Sequence, residues 1–124
     1  MFPLPEFYQL WLIYLEKVSA AATNEELEFP VVPAKHLLLV TRGMFREDTN
    51  APTYFQFLIR GRGKDIPIFE QRTITAGVTY DDALMALIPE GCWLVARFNT
   101  STNLNLLWAA INGYEVMATK ITNP

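Results

Sequence analysis

The sequence predicts an all-β fold, an antiparallel β-sandwich preceded by an N-terminal amphipathic helix. Three observations lead there. From residue 31 onward, short apolar or alternating runs are punctuated by turn residues at short intervals, the pattern of a sandwich or barrel. At 124 residues, 51% of them hydrophobic and 13% aromatic, the chain fits one domain with a real core. The first apolar segment, by contrast, follows a helical period.

In that segment Pro5 suits a first helical turn, and Glu6 complements the positive end of the helix dipole. At 100° per residue Phe7, Tyr8, Leu10, Trp11, Leu12, Tyr14, Leu15 and Val18 share one broad arc. Glu6, Gln9, Glu16 and Lys17 take the opposite arc, with Ile13 as the intruder. Such an arc must lie on something, because large aromatics are costly to leave in water. The sequence does not show whether that is the chain's own domain or another chain. Phe7, Tyr8, Trp11, Leu12 and Leu15 are the first choice for a partner-binding surface, and Trp11→Asp is then expected to leave a folded sandwich that no longer assembles. Residues 1–24 are read as helical arm and connector, residues 25–124 as the sandwich.

His36 to Phe45, rich in Leu and Val, is a strand, followed by a loop over 47–52. Thr53 to Arg60 alternates, placing Phe55, Phe57 and Ile59 on one face. Gly61-Arg62-Gly63-Lys64-Asp65 is a turn, and Ile66 to Ile74 follows with Pro67 marking an edge. Thr75-Ala76-Gly77 turns the chain into Val78-Thr79-Tyr80, while Ala83 to Ile88 reads equally as strand or helical turn. Cys92 to Thr100 is a strand in which Leu94, Ala96 and Phe98 alternate with Trp93, Val95 and Arg97. After an uncharged loop, Leu106 to Val116 is the last long strand. Val32-Pro33-Ala34-Lys35 and Ile88-Pro89-Glu90-Gly91 are two similar proline-marked entries into strands, at equivalent corners of the sandwich.

The residue inventory excludes most chemistry. A net charge of −3 argues against a nucleic-acid binder. One cysteine and one histidine leave no disulfide framework and no multi-cysteine zinc site. His36 has only Ser19 and Ser101 to serve as triad nucleophiles, neither in a Gly-x-Ser-x-Gly elbow, and is read as structural. Cys92 is read as a small apolar filler. Asp81-Asp82 and Glu47-Asp48 do not follow a calcium-loop pattern. No enzyme activity, cofactor or metal is expected. The apolar run Phe7 to Val18 is too short and too interrupted for a membrane span, and without an early Lys or Arg it makes a poor signal peptide.

Charge is uneven along the chain. Residues 1–34 carry five acids and one base, and residues 35–72 seven bases and four acids. Such a division can orient copies of one protein against each other. Arg60, Arg62 and Lys64 form the most basic spot, a charged hairpin tip or an electrostatic contact for an acidic surface. Trp93, Trp108 and Tyr114 suit subunit contact or core, and alternatively stacking on sugar rings; Trp108 and Tyr114 share a face of the last strand.

Five stretches in order carry a resemblance: Val32-Pro33-Ala34-Lys35, Asn50-Ala51-Pro52-Thr53-Tyr54, Thr75-Ala76-Gly77-Val78-Thr79-Tyr80-Asp81, Ile88-Pro89-Glu90-Gly91-Cys92-Trp93-Leu94, and Trp108 to Val116. Over about the last three quarters of the chain the pattern resembles the small, jelly-roll-like β-sandwich virion proteins of tailed bacteriophages, found as capsid decorations or neck and tail components. The resemblance implies a non-enzymatic structural protein located in the virion, a homo-oligomer attached to other virion proteins. The aromatic N-terminal helix departs from that family's pattern. The alternative expectation is a carbohydrate-binding module for host-surface or extracellular glycans.

Overall fold

The computed structural model describes residues 9–19, 24–48, 54–99 and 105–117. They form eight strands: β1 (Gln9–Val18), β2 (Glu25–Glu28), β3 (His36–Glu47), β4 (Tyr54–Gly61), β5 (Lys64–Gln71), β6 (Tyr80–Pro89), β7 (Trp93–Asn99) and β8 (Leu106–Met117). Two four-stranded antiparallel sheets result, in the orders β1-β8-β3-β6 and β2-β7-β4-β5. The pairs β1·β8, β2·β7, β3·β6 and β4·β5 follow one rule: strand n pairs with strand 9 − n. Successive pairs alternate between the sheets, so the chain runs as one long hairpin rolled up around its β4–β5 tip. The pairs β3·β8 and β4·β7 then complete each sheet.

Alternation sends one face of most strands into the core, the edge strand β5 contributing only the partly buried Ile68 and Phe69. Phe55 and Phe57 on β4, Leu94, Ala96 and Phe98 on β7, and Leu107, Ala109 and Ile111 on β8 are all buried. Rings meet edge-on at the centre, Phe55 with Phe57 at 4.8 Å and with Phe98 at 4.9 Å between centroids. A register shift between Val40 and Arg42 bulges β3 against both neighbours. Gly113 lies opposite Val40 there, and a Cβ on it would meet the Leu39 carbonyl oxygen at 2.6 Å. Only glycine allows the two backbones this approach.

The two proline-marked corners bind each other. Val32 N–H donates to the Cys92 carbonyl and Gly91 N–H to the Val32 carbonyl, both at 2.9 Å, and the Lys35 amide donates to Glu90.

The N-terminal segment departs from expectation. Gln9–Val18 is a strand rather than a helix, paired with β8 from Gln9↔Glu115 to Val18↔Leu106; residues 1–8 lie outside the described set. Ten residues of ladder hydrogen bonds, with Trp11 buried beneath the sheet, outweigh the helical period. Ile13, the intruder on the helical arc, packs against the core. The connector contains β2, and the ambiguous run Ala83 to Ile88 belongs to β6.

Candidate functional site

The two outer faces of the sandwich have opposite character. On the β2-β7-β4-β5 sheet the outward positions carry a guanidinium–carboxylate network. Arg60 Nη1 and Nη2 donate to the two carboxylate oxygens of Glu26 at 2.8 and 2.7 Å, and its Nε donates to Asp65 Oδ1 at 2.8 Å. Arg97 Nε donates to Glu26 Oε2 at 2.9 Å, and Trp93 Nε1 to Glu28 Oε1 at 3.1 Å. The Arg60 hydrogen bonds hold the Glu26 carboxyl below its usual range, with Arg97 adding to them against the opposing effect of burial. The same guanidinium lowers Asp65, and Glu26 and Asp65 in turn raise Arg60. Leu58 and Val95, paired on this face between the Gln56–Arg97 and Arg60–Trp93 pairs, are fully buried there rather than in the main core.

The outer face of the β1-β8-β3-β6 sheet is apolar. The register brings Leu10, Tyr114, Leu39 and Leu87 into one row across all four strands. Leu10 is 50% exposed, Leu87 57% and Tyr114 37%. Leu12, 66% exposed, flanks the row on β1, Met85 on β6, and Val116 with Leu37 on the central strands. Tyr14 and Trp108 meet at 5.5 Å with rings tilted 38°, and the Tyr14 hydroxyl donates to Glu16 at 2.9 Å. Two ion pairs lie on this side, Arg42 with Asp81 and Arg46 with Asp48. Contiguous exposed apolar surface of this extent marks an interaction face. A four-stranded sheet ten residues long offers about 600 Å² of face. That approaches the ~800 Å² each partner gives to a standard interface.

A strand divides the residues singled out from sequence differently from a helix. Trp11 points inward, 7% exposed, and its indole Nε1 donates to Glu115 at 2.7 Å. His36 Nδ1 contacts the other Glu115 oxygen. With Trp11 in the core, Trp11→Asp attacks the fold itself instead of an assembly surface. Leu15 is half-buried against the core, Leu12 faces outward, and Phe7 and Tyr8 lie outside the described residues. Arg60 is spent on carboxylates, whereas Arg62 and Lys64 stand exposed at the β4–β5 turn. Trp93 lies on the charged face, Trp108 and Tyr114 on the apolar one, so the three aromatics form no single platform. Sequence reasoning missed Leu39 and Leu87, whose places in the row depend on register.

Among the described residues no group of three or more His, Cys, Asp or Glu is placed to hold a metal ion, and no helix is long and apolar enough to cross a membrane. No protein-family model matches the chain, and no curated protein matches it.

Proposed function

We propose that the chain is a non-enzymatic, self-assembling structural protein of a tailed-bacteriophage virion, a capsid decoration or a neck or tail component. The observation that carries the reading is the Leu10–Tyr114–Leu39–Leu87 row, an apolar band across a whole sheet opposite a self-neutralised charged face. Apolar area of this kind, left in water, costs about 25 cal/mol per Å². A second copy covers it with the same patch by a two-fold axis, and the matched charge pairs lie beside that contact without net repulsion. The n with 9 − n pairing supports a jelly-roll reading of the sandwich, an architecture used by capsid proteins and by lectins alike. Fold alone does not choose between those uses.

Sedimentation velocity of the full chain tests the assembly. The wild type is expected to be oligomeric at micromolar concentration, and Leu12→Asp to keep its circular dichroism while shifting to monomer. A wild type that stays monomeric overturns the proposal. Peptides of this chain are expected in purified particles of the phage that encodes it. The carbohydrate-binding alternative draws on Tyr14 beside Trp108, and a selective hit on a glycan array abolished by Trp108→Ala would replace the structural reading.

A further inference from the structure

We propose that the β4–β5 turn and the neighbouring edge of β6 form a binding site for an anionic amphiphile, an aliphatic carboxylate of medium chain length. A pocket of about 520 Å³ opens there, within the size range of small-molecule sites. Its walls are apolar: Ile59, Ile66, Leu87, Pro89 and Cys92. Ile66 and Leu87 are each more than half exposed, so the pocket leaves greasy surface in water. Arg62 and Lys64 also line it.

Two features bear on those cations. Arg42, Arg46, Arg60, Arg72 and Arg97 each pair with a carboxylate, whereas Arg62 and Lys64 have no ion pair among the described residues. Arg62 also sits where its backbone is ill suited. Gly61 pairs with Lys64, leaving Arg62 and Gly63 as a two-residue hairpin loop with φ of 55° and 74°. Such a turn favours Asn, Asp or Gly at its first position, because other residues crowd their own carbonyl at positive φ. An arginine there, at a conformational cost, places charge at the pocket. Gly61 seats the turn against Cys92: a Cβ at that position would meet the Cys92 Sγ at 2.6 Å. The cations thus stand beside the apolar walls, where a carboxylate meets donors and its chain meets Ile66 and Leu87.

Isothermal titration calorimetry with decanoate, below its micellar concentration, tests the site on the full chain. One saturable site is expected, with 1-decanol and acetate each binding about tenfold or more weakly. Arg62→Gly is expected to weaken decanoate about tenfold while raising the melting temperature, since glycine suits the turn. Ile66→Asp, on an exposed position away from the apolar sheet face, is expected to abolish binding while the fold is retained. No saturable binding, or equal affinity in wild type and Arg62→Gly, overturns the proposal; so does equal affinity for decanol. Leu87 belongs to both the apolar row and this pocket, whereas Leu12 lies on the row's face alone and Ile66 in the pocket alone. Decanoate binding by Leu12→Asp and assembly by Ile66→Asp therefore tell the failure of one proposal from the failure of the other.

Discussion

Trp11 Nε1 and Glu115 Oε1 are 2.7 Å apart and both residues are buried, joining the edge strand β1 to β8 beneath the sheet. The second carboxylate oxygen meets His36 on β3, so one buried acid ties three neighbouring strands.

Trp11→Phe keeps an aromatic ring in the core but removes the donor, leaving a buried carboxylate oxygen unpaired. The expected loss is about 1–3 kcal/mol. Urea unfolding is expected to show a lower midpoint with unchanged slope. In the Trp11→Phe/Glu115→Gln double variant the loss is expected to fall short of the sum of the single losses, because the two residues share one interaction.

Gly113→Ala places a methyl group against the backbone of β3, where no side chain can swing aside. Overpacking of this kind costs about 1–3 kcal/mol. A thermal melt of the variant checks it. Gly77→Ala serves as the contrast: nothing lies within 4 Å of its added Cβ, so its cost comes from positive φ alone.

Glu26 contributes a pH dependence of definite sign. Its folded-state pKa lies below the ordinary value of 4.5, chiefly because Arg60 donates to the charged form. The stabilisation is complete above pH 4.5 and is lost as pH falls through the lower folded value. Glu26→Gln is therefore expected to be less stable than wild type at pH 7, by about 1 kcal/mol for so solvent-accessible a pair. Its melting temperature is expected to fall less between pH 5 and pH 3. Parallel wild-type and variant melts across that window measure the difference.

The strands with one polar and one apolar face were readable in advance. Phe55, Phe57 and Ile59 share one face, as do Leu94, Ala96 and Phe98, as the alternation groups them, and the structure turns both sets into the core. β1 was not, for a physical reason. Leu10, Leu12 and Tyr14 face water while Trp11, Ile13 and Leu15 face the core, so both faces are apolar and the two-residue period vanishes. What remains is a broad apolar stretch that a helical arc fits almost as well. β2 escaped for the opposite reason: three of its four residues are glutamates, and Leu27 alone announces the core. The apolar row was invisible because it is a property of register across four strands, and the pocket because Arg62 and Leu87 meet only in the folded chain.

The rule that pairs strand n with strand 9 − n also dictates when the molecule can be finished. The β4–β5 tip closes across two loop residues, whereas Trp11 and Glu115 are 104 positions apart. During synthesis the leading strand emerges first and waits longest, its greasy faces and open backbone unpaired until the last strand leaves the ribosome. With its outer pairings this far apart in sequence, the chain is expected to fold slowly, which stopped-flow refolding would measure. A copy lacking β8 leaves both β1 and the facing edge of β3 without their backbone partners, the kind of open edge that pairs with other chains.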